Sequence, residues 1–339
     1  MTRGLTVQTT GPAVSVQDAG RANGLGLGLS RSGAADRMAY LEGCALLGLP
    51  LGTAMIEMAG FGGTFCFHDV TRFALAGAAM RASLDGQPVE WGAAHLAGPG
   101  SVLTIGAAET GVYGYLALGG GIATEPELGG RGFHRIAGLG RALADGDEVP
   151  LGVDAGLADA PMRLTAAPPP KGPIRAMPGP QTALFPAEVI ALFQATTFTR
   201  SVKANRQGVR MDHDGGPFSV GSQLNQVSDF IAEGDIQMTG DGTPYVLLAD
   251  CQTMGGYPRI GTVLPIDQAR IVQALPGDKM RFELVTIAQA EALWQSEATL
   301  LAGLKRRLQP RVRDPHEMAD LLSYDLIGRP LPEVSGLEE

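Results

Sequence analysis

The segment Ala167-Pro168-Pro169-Pro170-Lys171-Gly172-Pro173 constrains the fold of this chain more than any other. Three consecutive prolines remove three backbone donors and fix φ, so neither a helix nor a central strand runs through them. A polyproline-like linker over 156–173 is the expected outcome. One body must then form on each side, over 1–155 and 174–285, with a helical tail over 286–339. At 339 residues there is enough chain for two ordinary cores.

A similar order of events recurs on both sides of this seam. Tyr115-Leu116-Ala117-Leu118 runs into Gly119-Gly120-Gly121, and Leu247-Leu248-Ala249-Asp250 runs towards Gly255-Gly256. Gly146-Asp147 and Gly277-Asp278 follow at nearly the same offset, 131 residues against 132 for Leu116 and Leu248. An internal duplication is one reading; chance recurrence of short glycine motifs is the other. Glycine is 48 of 339 residues, roughly twice the usual share of about 7%. With no three-residue period and few long helical patterns, that points to short strands joined by turns. Thr71–Met80, Ala82–Asp85 and Ser101–Ile105 read as strands, with Asp85-Gly86 as a hairpin turn. Short strands with frequent turns suggest closed or nearly closed barrels, which leave no exposed edges. Two segments read as helices instead. Asp36 caps one that runs to Leu47, and Thr286 with Gln289 forms a capping box for another that runs to Leu308. The apolar stripe of the second is interrupted by Glu297.

The net charge of −9 argues against nucleic acid or an anionic membrane as the main partner. Cys44, Cys66 and Cys251 show no paired spacing, so no disulfide framework is expected, and a reducing, cytoplasmic location fits. No signal peptide and no apolar run long enough to span a bilayer is read in the chain. The five histidines lack metal-ligand spacing, so no metal is expected. Gly24-Leu25-Gly26-Leu27-Gly28 lacks dinucleotide spacing, and neither a phosphate-binding loop nor a nucleophile elbow occurs. Lys279-Met280 follows Asp278 rather than methionine, so no biotin is expected to be attached to this chain.

Three stretches carry candidate chemistry. In the first, Tyr245–Leu248 reads as a buried strand delivering Asp250, Cys251, Gln252 and Thr253 to a loop tightened by Gly255-Gly256 before Tyr257. An ordinary bulge or turn is the alternative. In the second, a strand ends at Gln17-Asp18 ahead of Gly20-Arg21, and Asp36 follows Gly33-Ala34-Ala35. Asp18 and Arg21 can orient a carboxylate or amide, or can pair with each other to pin a loop. In the third, Ser201 and Asn205-Arg206-Gln207-Gly208-Val209-Arg210 place two arginines four apart, to bind an anion or to cap a turn.

Taken in order, these segments resemble one family, the allophanate hydrolase subunit 2 / KipA group, also described as the C subunit of 5-oxoprolinase and as a biotin-dependent carboxyltransferase-like domain. The resemblance rests on Val16-Gln17-Asp18 with Gly20-Arg21, Gly33-Ala34 with Asp36, Glu57 with Gly60, and Ala76-Gly77-Ala78. It continues through Tyr115-Leu116-Ala117 with Gly120-Gly121-Ile122, Gly140-Arg141-Ala142-Leu143 with Gly146-Asp147, and Pro178-Gly179-Pro180. It closes on Ser201, Asn205-Arg206 with Gly208 and Arg210, Ile236-Gln237, and Asp250 with Gln252-Thr253 and Gly255-Gly256-Tyr257-Pro258-Arg259-Ile260. Residues 5 to 300 are covered. Gly129-Gly130-Arg131-Gly132-Phe133 stands, shortened, where the family carries a Gly-Ser-x-Ser-Thr stretch.

The resemblance implies a mainly β chain of two cyclophilin-like β-barrel domains with a C-terminal helix. It implies a C-subunit role in an ATP-dependent 5-oxoprolinase-like amidohydrolase that converts 5-oxoproline to glutamate. Partners would be a B-type (KipI / allophanate hydrolase subunit 1) protein and an A-type protein, with ATP used by the complex. Two other roles are implied: the carboxyltransferase component of a biotin-dependent urea carboxylase/allophanate pathway enzyme, and a KipA-type non-catalytic regulator. Both reactions polarise a small amide or lactam. On that footing Asp18, Asp36, Asp250, Gln252 and Tyr257 are the candidate catalytic residues. Gln17, Arg21, Asn205, Arg206, Gln237, Thr253, Gly255 and Gly256 are the candidate substrate-binding residues.

Overall fold

The computed structural model describes residues 3–165, 167–168, 170–218 and 228–311. The first half contains β1 (Gly4–Thr10), β2 (Val14–Gln17), α1 (Arg37–Leu47), β3 (Met55–Ala59), β4 (Gly63–Phe67), β5 (Thr71–Gly77), β6 (Met80–Leu84), β7 (Gln87–Pro88), β8 (Ala94–Ala97), β9 (Val102–Ala108), β10 (Tyr113–Leu118) and β11 (Glu148–Pro150). These strands form two sheets, ordered β11-β1-β4-β9-β6-β7 and β2-β3-β10-β5-β8. The turn between β6 and β7 is Asp85-Gly86, with φ of 51° and 80°, the doubly left-handed geometry that matches strand twist.

Period-two alternation on β5 shows what each face does. Phe73 and Leu75 point into a core shared by the two sheets, with Phe65, Phe67, Ile105 and Leu116. Ala74 and Ala76 point the other way, with Tyr115 and Ala117, against α1. Small side chains there let the helix lie close: a Cβ added at Gly43 would meet Ala117 at 3.2 Å. Each large side chain buried between the sheets stabilises the fold by roughly 1.5–3 kcal/mol. Asp36 starts α1 by accepting from Ala39 N at 3.0 Å, and Gly48 ends it at φ 69°.

The second half runs β12 (Met162–Leu164), β13 (Ile174–Met177), α2 (Ala187–Ala195), β14 (Phe198–Asn205), β15 (Gly208–Asp212), β16 (Asp229–Phe230), β17 (Asp235–Met238), β18 (Pro244–Leu247), β19 (Met254–Gly255), β20 (Arg259–Val263), α3 (Pro265–Val272), β21 (Lys279–Met280), β22 (Phe282–Leu284), α4 (Ile287–Leu293), α5 (Glu297–Lys305) and β23 (Leu308–Pro310). Eight of these strands form one sheet, ordered β21-β14-β15-β18-β17-β20-β13-β22. Its two edge strands, β21 and β22, are separated in the chain by Arg281 alone, so the sheet rolls into a nearly closed barrel. The chain is mainly β, as its glycine pattern predicts.

The recurring landmarks occupy similar places. β10 and β18 are interior strands of their sheets, and Gly146 and Gly277 (φ 85° and 95°) turn the chain into the edge strands β11 and β21. Three expectations meet a different arrangement or fall beyond what is described. Part of the linker belongs to the packed body: β12 pairs with β23, and Leu164 is buried. The helix expected over 286–308 is two helices, because Ser296 accepts from Thr299 N and starts a new one. The expected capping box of Thr286 and Gln289 is present. Residues 312–339 of the expected helical tail lie outside the described residues. No helix among the described residues is long and apolar enough to cross a membrane.

Candidate functional site

The residues that the sequence marks as functional fall into three separate groups. The first is built where β2 ends. Gln17, Asp18 and Arg21 are all buried and all hold the loop 127–133 by its main chain. Asp18 Oδ1 accepts from Gly20 N at 2.8 Å, and its Oδ2 accepts from Arg131 N at 2.6 Å. Arg21 donates from Nε to Glu127 O (3.0 Å) and from Nη2 to Gly132 O (2.9 Å). Gln17 donates to Phe133 O at 3.0 Å. Asp18 and Arg21 thus pin a loop, each through backbone groups rather than through an ion pair with the other. Gly20 and Gly33 make this crossing possible, since a Cβ on Gly33 would lie 2.5 Å from Gly20 N.

The second group is a buried charge network that joins the two halves. Arg206 sits in the turn between β14 and β15 and reaches into the first half. It binds Asp250 with two nitrogens (2.7 and 3.0 Å), the Glu57 carboxylate, and Gly33 O (2.6 Å). Ser32, in the left-handed region at φ 55°, donates to the same Asp250. Glu57 Oε2 also accepts from Ala35 N and from the Tyr115 hydroxyl, each at 2.8 Å. Tyr115 in turn accepts from Asp36 N at 2.8 Å. Asp36 Oδ2 accepts from Gln273 Nε2 at 2.7 Å, and burial raises its carboxyl above the ordinary range against these hydrogen bonds. Every oxygen of Asp250 and Asp36 has a donor, so both carboxylates serve as fixed acceptors: Asp250 ties the end of β18 to Arg206 and Ser32, and Asp36 ties the start of α1 to Gln273.

The third group lines an open cleft of about 520 Å³ on the barrel of the second half. Four residues with primary carboxamides line it, Asn205, Gln207, Gln237 and Gln252, and Asn205 Oδ1 accepts from Gln207 N at 2.7 Å. Tyr257, Tyr245 and Lys203 also line it. Gln237 is buried on β17, and its Nε2 lies 3.5 Å from Tyr257 O, so its amide is only weakly held. A Cβ at Gly255 would lie 2.8 Å from Gln237 Nε2 and 3.4 Å from Gln252 Nε2, so glycine there leaves room for both amides. Thr253 turns away, donating to Gly28 O at 3.0 Å and fastening the glycine-rich loop of the first half. Cys251 also lines the cleft, but burial pushes its thiol up to about 12, the opposite of what a nucleophile needs.

Asn205, Gln237, Gln252 and Tyr257, with Gly255 behind them, are therefore brought together as one site. Asp18, Asp36 and Asp250 are not gathered with them: Asp18 holds the loop 127–133, and Asp36 and Asp250 belong to the buried charge network. Several contributors lie outside the candidate site residues: Ser32, Glu57, Tyr115 and Gln273 in the network, and Lys203, Gln207 and Tyr245 in the cleft. Lys203 and Tyr245 lie on separate strands of the barrel, and only strand register shows that they face the same space. Among the described residues, no group of three His, Cys, Asp or Glu side chains is placed to hold a metal.

Comparison with known proteins adds an independent finding. A family model described as the carboxyltransferase domain, subdomain A and B, matches residues 27–284. The C subunit of 5-oxoprolinase from Haemophilus influenzae is 29% identical over 302 residues, which cover 86% of this chain and 94% of that protein. A putative urea carboxylase of Emericella nidulans is 28% identical over 288 residues, 78% of this chain and 23% of that longer protein. In fold, the chain is similar to the urea carboxylase of Kluyveromyces lactis, with a TM-score of 0.78 at 21% identity. That match covers 93% of this chain and 31% of the larger enzyme.

Proposed function

The chain belongs to the carboxyltransferase-domain family with subdomains A and B, and on that premise we propose that it is the C-type component of a 5-oxoprolinase-like amidohydrolase. In this reading it binds a small lactam and is active only together with A-type and B-type partner chains. ATP is consumed by the complex, which opens 5-oxoproline to glutamate.

The observation that carries the reading is the cleft. A lactam presents one planar donor, its N–H, beside one planar acceptor, its C=O. Primary carboxamides offer the complementary pair in the same plane, and four of them line this site. When the ring carbonyl is attacked, negative charge grows on its oxygen, and Gln252 Nε2 and the Tyr257 hydroxyl are the donors placed to receive it. The three aspartates contribute by holding the frame, since their oxygens are already occupied. A second reading, the carboxyltransferase portion of a biotin-dependent urea carboxylase, is supported by the sequence likeness to the Emericella nidulans protein. Urea is also a planar amide and suits the same donors.

Co-expression with an A-type and a B-type chain, followed by an assay of 5-oxoproline-dependent ATP hydrolysis, tests the proposal. Turnover that requires all three chains is the expected result. A stable three-chain complex that hydrolyses no ATP with 5-oxoproline would overturn it.

A further inference from the structure

We propose that Lys203 makes the cleft selective for a lactam that carries a carboxylate, by pairing with that carboxylate while the carboxamides hold the ring. This deepens the lactam reading above and rests on it.

Charge is the first observation. The chain carries a net charge of −9, yet the described residues lining this cleft include no aspartate or glutamate. Lys203 is the one charged side chain among them. A neutral ligand such as urea gains nothing from a lone cation, whereas an anionic ligand meets an attractive site on an otherwise repulsive surface.

Backbone geometry is the second. Pairing of β14 with β15 is regular at Arg200↔Met211 and at Ala204↔Val209. Between them three residues of β14, Ser201-Val202-Lys203, stand opposite the single residue Arg210. Such a bulge re-aims side chains. Val202 is 79% exposed and Lys203 is exposed beside it, where regular alternation would bury one of the two. Ser201 Oγ accepts from Lys203 N at 3.3 Å and closes the bulge.

Availability is the third. The other cations at this end of the barrel are engaged: Arg206 by Glu57 and Asp250, and Arg210 by Asp212 and Asp241. Asp212 feels Lys203 as well, but Arg210 already binds it. Among the described residues, no carboxylate forms an ion pair with Lys203.

The test is a calorimetric titration of the full chain, at low ionic strength, with two ligands that differ only in the carboxylate. 5-Oxoproline carries it; 2-pyrrolidinone is the same ring without it. The wild-type chain is expected to bind 5-oxoproline about two- to fivefold more tightly, as an exposed charge pair allows. Lys203→Met is expected to remove that preference and leave 2-pyrrolidinone binding unchanged, and Lys203→Arg to keep most of it. Equal affinity of the wild-type chain for both ligands would overturn the role of Lys203 and leave the lactam site standing. Tighter binding of 5-oxoproline that survives Lys203→Met would also overturn it. Binding of neither lactam would overturn the lactam reading itself, and this inference with it.

Discussion

Arg206 is the residue on which the buried charge depends. The side chains of Glu57 and Asp250 are 2% and 4% exposed, and among the described residues Arg206 is the one cation bonded to both. Its own guanidinium is held more firmly protonated than usual by these carboxylates, against the cost of burial. Removing one partner of a buried pair costs about 3–5 kcal/mol, because the remaining charge stays buried without compensation. Arg206→Met is accordingly expected to lower the urea-unfolding free energy by about that amount, measured by fluorescence on the purified chain. Gln252 is exposed at the cleft, and Gln252→Ala is expected to change the same quantity by less than about 0.5 kcal/mol. Asp250 and Gln252 stand two residues apart in the sequence and look alike as candidates there. Their roles separate because Asp250 is turned towards Arg206 and Ser32 while Gln252 is turned towards the cleft. That difference belongs to side-chain direction, which residue type and spacing do not encode.

At the scale of elements, α1 gives the clearest test of electrostatics. Glu42 lies on this helix, where burial, reinforced by the neighbouring Asp36, raises its carboxyl from 4.5 to about 7. In the folded chain it holds its proton over a range in which the unfolded chain has lost it. Its favourable contribution is therefore complete below about pH 4.5 and is lost as pH rises through about 7. Thermal melts of Glu42→Gln and wild type are expected to coincide near pH 4 and to diverge above pH 7, with the variant the more stable. Melting temperatures that stay parallel across this window would contradict the assignment. The helix itself is legible in the sequence, because Asp36 as a cap and Gly48 as a stop are local signals. So is the capping box at Thr286. The break before α5 is not, since Glu297 reads as a flaw in an apolar stripe. In the fold Glu297 receives Arg31 and Arg37 from the first half, so the apparent flaw is a tie between halves.

For the whole molecule, such ties decide how the chain unfolds. One continuous cluster of buried apolar side chains runs from α1 and β10 into the barrel of the second half. Gln273, at the end of α3, accepts from Val112 N and Tyr113 N and donates to Tyr113 O and Asp36. The Pro-rich seam is visible in sequence, but the pairing of β12 with β23 across it depends on residues nearly 150 positions apart. Scanning calorimetry is therefore expected to show one transition whose calorimetric and van't Hoff enthalpies agree. Two resolved transitions would mean that the shared core does not couple the halves.

The central claim is that the carboxamide cleft, rather than the buried aspartates, meets the substrate. The most direct measurement is 5-oxoproline-dependent ATP hydrolysis by the reconstituted complex carrying Gln237→Ala or Gln252→Ala, with assembly checked by size-exclusion chromatography. The account predicts an intact complex whose kcat/KM falls in both variants, for Gln252→Ala by about 10²-fold or more, as the loss of an oxyanion donor does. Intact assembly with unchanged kcat/KM in both variants would contradict it.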